Sequence, residues 1–329
     1  VTAAQIFEEL GGTAGCRALS QAFYTRVARD PLLRPLFPAH MKCPIEEFSA
    51  FLVQFLGGPA ADSQRRWWLS LAESHARFRI GLPEREAWLR LMRGTLAEFE
   101  APERPKGALL RLFEQASAYL LGATGYGAGD LGANWNAQLA LDAAVEAIRR
   151  REFAEACALA RQCARNVLPG LLGRMIRERQ EALQQFVEAE VRCDPRLVFE
   201  KYAGRTLLHE TAGADDAHLT RTLVERGADV NAHDGGRHTP LYSVANECAG
   251  PGGAEIVRVL VSAGANVNAA DGVQKCTPLH MAARRGNVAI ANALLECGAN
   301  KNARDRRGET PRERALNCRK AEVAQLLRS

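Results

Sequence analysis

Only two histidines, His40 and His75, occur in the first 126 residues, and His75 lies in the aromatic-flanked phrase Ser74-His75-Ala76-Arg77-Phe78. A neutral imidazole can serve as a proton shuttle or as an axial ligand to a metal. Tyr24 and Trp88 fall in the same third of the chain. Their O–H and N–H groups are donors that need a polar partner when buried. Each has a plain structural role as well. A lone histidine on a helix is usually a packed, hydrogen-bonded residue, Tyr24 could bond a backbone carbonyl, and Trp88 could fill a core. Later in the chain, His209, His238 and His280 stand at or near the starts of repeated phrases, where backbone hydrogen bonding is the default role. The nine cysteines are odd in number, irregularly spaced and free of any CxxC pair, so neither a disulfide framework nor a zinc site follows. No Gly-x-Ser-x-Gly, P-loop or His-Glu-x-x-His phrase is present.

The elements that must position these groups read as helices. Gly11-Gly12 separates a short first helix from one over 15–29, which Asp30-Pro31 ends. Helices follow over 45–56, 65–76, 83–99 and 106–119, with Gly57-Gly58-Pro59 closing one and Pro83 opening another. Most of the chain's 12 phenylalanines lie here, so this core is aromatic-rich although the whole chain is only 6% aromatic. Such a core suits packing around a large flat apolar cofactor, or simply an aromatic helical interior. A Gly/Ala-rich turn over 122–132 bounds it. Residues 137–151, 152–166 and 171–191 are helical in period and read as a connector. The phrase Gly132-Ala133-Asn134-Trp135-Asn136 leaves open a degenerate repeat start.

The last third repeats. Thr206-Leu207-Leu208-His209, Thr239-Pro240-Leu241-Tyr242, Thr277-Pro278-Leu279-His280 and Thr310-Pro311-Arg312 recur at a period near 33, with a longer second unit. Gly227-Ala228-Asp229, Gly264-Ala265-Asn266 and Gly298-Ala299-Asn300 keep the same period. Threonine caps a helix, proline fits its first turn, and the glycine closes the second helix in a left-handed conformation. The extra residues are expected at Cys248–Gly253, and 308–329 reads as a C-terminal cap. These phrases resemble the ankyrin repeat family. That resemblance implies a stack of about four units over 195–329 that binds a protein through tips near 233–237, 270–275 and 305–308.

The N-terminal phrases Leu10-Gly11-Gly12, Phe23-Tyr24-Thr25-Arg26-Val27, Asp30-Pro31-Leu32-Leu33, Leu36-Phe37-Pro38, Gly57-Gly58-Pro59, Ser74-His75-Ala76-Arg77-Phe78 and Glu86-Ala87-Trp88-Leu89 look like group II truncated haemoglobins over about 5–121. The resemblance implies an all-α fold: a truncated globin domain (two-over-two helical) at 1–126, a helical connector at 127–194 and an ankyrin solenoid at 195–329. It implies haem b as cofactor, with His75 as the proximal iron ligand. Tyr24 and Trp88 match donors to a bound gas, and Phe37 matches an aromatic wedge against the porphyrin. Phe48, Phe51, Leu52 and Phe78 match apolar pocket positions, and Arg79 matches a partner for a haem propionate. Departures are visible. Leu71-Ala72-Glu73-Ser74 stands where the family often carries arginines, Pro44 occupies a usual distal position, and Trp67-Trp68 is expected to cover the proximal entrance.

Composition bounds the rest. At 329 residues with 47% hydrophobic and 25% charged residues, the chain suits two or three soluble domains. The net charge of +5 is spread along the chain, so no nucleic-acid partner is expected, and Arg304, Arg306 and Arg307 read as a solvated run. No run of 18 uncharged apolar residues and no signal-peptide pattern is visible, so a cytoplasmic, non-membrane protein is expected. The leading functional expectation is binding of dioxygen or another diatomic gas, tethered or coupled to protein binding by the repeats. Two alternatives remain open. One is a haem-dependent peroxidase or nitric-oxide-oxidising enzyme served by a partner reductase; the other is a scaffold that has lost its haem.

Overall fold

A computed structural model describes residues 2–63, 69–123 and 130–328. The expected helix start at Arg65, Trp67-Trp68 and most of the turn over 122–132 lie outside the described residues. The chain divides into two units, residues 1–171 and 172–329.

In the first unit, Thr2 and Gln5 form a capping box that starts α1 (Ala3–Glu9). In α2 (Gly12–Val27), Cys16, Leu19, Phe23 and Val27 recur at helical spacing and bury one face. α3 (Lys42–Phe55) follows, then the short α4 (Leu71–His75). Pro83 lies in the first turn of α5 (Leu82–Glu98), where Glu84 accepts from the Gly81 N–H at 2.8 Å. α6 (Glu103–Tyr119) buries Leu109, Leu112 and Phe113 on one face. α2 packs on α3, α5 on α6, and α2 against α5, so the core lies between two helix pairs, as the all-α two-over-two expectation requires. Leu19, Phe23, Leu52, Met92 and Leu109 are fully buried within it. Burial of each such side chain contributes ~1.5–3 kcal/mol.

α7 (Gly132–Arg149) belongs to the same unit: Leu131 and Trp135 join the core, and the helix packs on α4 and on α8 (Phe153–Ala160). The helices expected as a connector are therefore divided between the two units, and the division falls within α9 (Leu168–Arg177). Periodicity marks these segments as helical but does not say which core their apolar faces join.

The second unit begins its own helices with α10 (Glu181–Cys193). A two-residue hairpin, β1 (Lys201–Tyr202) and β2 (Arg205–Thr206), pairs Lys201 with Thr206. Helix pairs then repeat: α11 (Leu207–Gly213) with α12 (Ala217–Glu225), α13 (Pro240–Glu247) with α14 (Gly253–Ser262), α15 (Pro278–Arg285) with α16 (Val288–Glu296), and α17 (Pro311–Asn317) with α18 (Ala321–Leu326). First helices stack on first helices, α11 on α13 on α15 on α17. Thr206, Thr239, Thr277 and Thr310 are the N-caps, as their spacing predicts. Gly227, Gly264 and Gly298 have φ of 85°, 94° and 89°, a left-handed conformation that favours glycine and ends each second helix. The longer second unit places part of its extra residues between α13 and α14, over 248–252, and the rest lengthen its helices and the tip that follows.

His209 and His280 bridge repeats. The Thr206 N–H donates to His209 Nδ1 at 3.2 Å, and His209 Nε2 meets the His238 carbonyl at 3.1 Å. His280 copies this between Thr277 (3.2 Å) and the Glu309 carbonyl (3.0 Å). Nδ1 accepts in both, so Nε2 must carry the hydrogen that reaches the carbonyl. His238 differs: its Nδ1 lies 3.0 Å from an Asp234 oxygen, and its ring stacks on Tyr242 with centroids 4.2 Å apart.

Candidate functional site

The aromatic residues of the first unit surround a cavity of about 300 Å³, at the lower end of the range usual for cofactor and small-molecule sites. Tyr24 enters from α2, and Phe48 and Phe51 enter from successive turns of α3. Trp88 comes from α5 and Phe113 from α6. Phe37 follows a turn that Asp30 builds by accepting from the Leu32 and Leu33 N–H groups at 3.0 and 2.9 Å. Arg34 then donates to the Phe37 carbonyl at 3.0 Å and holds the bend.

The rings touch in sequence around the walls. Tyr24 meets Phe37 edge-on at 5.4 Å between centroids, Phe37 lies 6.2 Å from Phe78, and Phe78 lies 6.3 Å from His75. Trp88 packs at 4.8 Å from Phe23 and 5.3 Å from Phe113, while Phe48 lies 5.7 Å from Phe113. Phe37, Phe48, Phe51, Phe78 and Trp88 remain only half-buried although they line the interior of a helical unit. An apolar guest in the cavity would complete their burial.

His75 lines the same cavity. Its Nδ1 lies 2.8 Å from the Leu71 carbonyl and 2.9 Å from Ser74 Oγ. A carbonyl only accepts, so Nδ1 carries the hydrogen and Nε2 carries the lone pair. Among the described residues, Nε2 makes no hydrogen bond. Burial lowers the His75 pKa, against a smaller opposing pull from the Leu71 carbonyl, so the ring is neutral near pH 7. Burial pushes the Tyr24 hydroxyl well above the usual phenol range, and Glu47 adds to this, so the group is a donor. Neither Tyr24 Oη nor Trp88 Nε1 bonds to the protein among the described residues.

The structure thus brings together His75, Tyr24, Phe37, Phe48, Phe51, Phe78 and Trp88. Two expected residues lie elsewhere. Leu52 is fully buried in the core one position round α3 from Phe51. Arg79 is exposed and does not line the cavity. α4 ends at His75, so four residues further on is no longer the same helical face. Among the described residues, the cationic groups at the cavity are Arg77, whose guanidinium lies 4.8 Å from the Phe78 ring centroid, and Arg85, held by Ser117 Oγ at 3.1 Å. Sequence reasoning missed both, together with Phe113; the spacing of Phe113 from Leu109 and Leu112 on one helix face was its available signal. Pro44 lines the cavity, and His40 is exposed outside it.

Residues 5–119 match the family described as bacterial-like globin, 203–235 match the ankyrin repeat, and 246–329 match ankyrin repeats in three copies. The N-terminal part of the chain is a truncated-haemoglobin-like domain, and ankyrin repeats follow it. Group 2 truncated hemoglobin YjbI of Bacillus subtilis is 35% identical over 78 residues, which are 24% of this chain and 59% of that protein. Neurogenic locus notch homolog protein 4 of Homo sapiens is 51% identical over 51 residues, 16% of this chain and 2% of that protein. The chain therefore spans less than two thirds of either relative. Membership of the globin family implies a capacity to bind haem, and ankyrin repeats are a protein-interaction module. The truncated-haemoglobin-like domain fits that cofactor in its apolar cavity, its half-buried rings and the imidazole nitrogen of His75 that makes no hydrogen bond among the described residues. Among the described residues, no helix is long and apolar enough to cross a membrane.

Proposed function

We propose that the globin-like domain holds haem b with His75 as the axial ligand, and that the chain is a gas-binding protein whose repeats engage a protein partner. The observation that carries this reading is the state of His75: Nδ1 is tied to the Leu71 carbonyl at 2.8 Å, and Nε2 makes no hydrogen bond among the described residues, in a residue that lines an apolar cavity. When bound there, haem would supply the iron chemistry that binds dioxygen or another diatomic gas. Tyr24 and Trp88 are donors without a protein partner among the described residues and so are available to a polar ligand in that cavity, and Arg77 and Arg85 are cations available to the haem carboxylates. Two donors favour slow release of a bound gas, which suits sensing or chemistry better than transport.

The repeat tips favour an acidic protein partner. Their aspartates turn inward: Asp234 accepts from Gly236 and His238, Asp271 from Val273, Gln274 and Lys275, and Asp305 from Arg307 and Glu309. Arg237, Lys275, Arg306 and Arg307 remain exposed at the tips. Neighbouring tips are joined through Gly272 N–H to the Gly236 carbonyl (3.2 Å) and Arg306 N–H to the Gln274 carbonyl (2.7 Å), so the cations form one row.

Absorption spectra of the purified chain in oxidised, reduced and carbon monoxide forms test the cofactor reading. The expected result is a Soret band that shifts on reduction and on carbon monoxide, and that His75→Ala loses or displaces. No Soret band after haem supplementation overturns it.

A further inference from the structure

Asp142 of α7 is a buried carboxylate, 4% exposed, outside the residues that match the globin family. Four neutral donors surround it. Oδ1 accepts from the Leu71 N–H at 2.9 Å and from Gln138 Nε2 at 2.8 Å. Oδ2 accepts from the Ala72 N–H at 3.0 Å and from the Tyr119 hydroxyl at 3.1 Å. Among the described residues, no lysine or arginine pairs with it. A buried carboxylate without a counter-cation is costly to keep, so its partners need a reason beyond packing.

The connection runs through one peptide group. The Ala72 N–H that donates to Asp142 Oδ2 belongs to the same peptide plane as the Leu71 carbonyl, which meets His75 Nδ1 at 2.8 Å. A hydrogen bond donated by a peptide N–H to an anion makes the carbonyl of that peptide a stronger acceptor. The carboxylate therefore acts on His75 across the Leu71–Ala72 peptide without touching it. A partner at the second ring nitrogen of a ligating histidine sets its tautomer and orientation and raises its basicity.

We propose that Asp142 is a positioning residue for the proximal histidine: it anchors the start of α4, fixes the Nδ1–H tautomer of His75 and strengthens the donor power of Nε2. The helix that follows the globin-matched residues is thus part of the haem site. This rests on the reading of His75 as the iron ligand for its haem-loaded consequences, while its effect on the imidazole exists without haem.

The test uses the full chain and two readouts. In haem-free protein labelled with ¹⁵N-histidine, the His75 signal is assigned by its loss in His75→Ala. The wild type should show a single Nδ1–H tautomer. Asp142→Asn should weaken that hydrogen bond, moving the Nδ1 proton upfield or admitting the second tautomer. In haem-loaded protein, Asp142→Asn should lower the iron–histidine stretching frequency, raise the midpoint potential and speed haem loss by ~10–100-fold, as for other partners of metal-bound histidines. Tyr119→Phe should move the stretch in the opposite direction, because the carboxylate then shares its charge among fewer donors. Tyr119→Phe also decides the matter if Asp142→Asn does not fold. An unchanged Nδ1 resonance and an unchanged stretch in the folded variants overturn the proposal. Failure of the wild type to take up haem overturns the reading of His75 as ligand instead, and the haem-free spectra then decide the role of Asp142 alone.

Discussion

Acidification should loosen the repeat array through His209. This imidazole is fully buried between Thr206 and the His238 carbonyl, and burial lowers its pKa from 6.5 to about 4. Protonation would replace the lone pair on Nδ1 with a second N–H, facing the Thr206 N–H that now donates to it. The sign follows from linkage. A histidine with a depressed folded pKa contributes stability that is present above its unfolded pKa and is lost as pH falls toward the folded value. Between pH 7 and pH 5 the loss from His209 is about 2 kcal/mol. For a unit of this size that lowers the melting temperature by roughly 4–8 °C. His238 works in the opposite direction, since Asp234 raises its pKa and their pairing is lost as pH rises. A comparison with His209→Gln removes every titration that the two proteins share. The variant should lose ~1–3 kcal/mol at pH 7, because the Thr206 N–H loses its acceptor. Its melting temperature should then fall less between pH 7 and pH 5 than that of the wild type, measured by circular dichroism on the full chain. Identical pH slopes for the two proteins would refute the assignment of His209 as a buried neutral bridge.

Three further outcomes are expected. With haem loaded, Tyr24→Phe and Trp88→Phe should each speed gas release by roughly 5–10-fold in stopped-flow measurements, the equivalent of one lost hydrogen bond; unchanged rates would remove these residues from the ligand's surroundings. Arg77→Ala and Arg85→Ala should hasten haem transfer to an acceptor protein while Arg79→Ala does not, because only the first two line the cavity. Combining Arg237→Glu with Lys275→Glu should abolish binding of a polyglutamate probe, and binding to the wild type should weaken with added salt; salt-independent binding would count against a charge-reading tip surface.

Much of the architecture was legible as residue phrases because its signals are local. Thr277-Pro278-Leu279-His280 specifies a cap, a first turn and a bridging imidazole within four residues, and Gly298 specifies the left-handed stop. The spacing of Cys16, Leu19, Phe23 and Val27 likewise specifies one apolar helix face. At the site, Tyr24, Phe37, Phe48, Phe51, Phe78, His75 and Trp88 were legible through resemblance to globins, and the cavity gathers them. Leu52 and Arg79 were not, because their side chains are directed by where a helix faces and where α4 ends.

By itself, then, the amino-acid order determined the helices, their caps, the repeat period and the presence of one histidine with aromatic company. Those properties depend on neighbours within about one or two helical turns. Only the tertiary structure decided that Arg77 and Arg85 line the cavity, that α7 joins the globin-like core, and that a carboxylate some 70 residues beyond α4 accepts from the first amides of that helix. A hydrogen bond between Asp142 and the Leu71 and Ala72 amides leaves no periodic trace in the chain. It exists because two helices distant in sequence bury their faces together, and the buried amides at the start of α4 then need an acceptor.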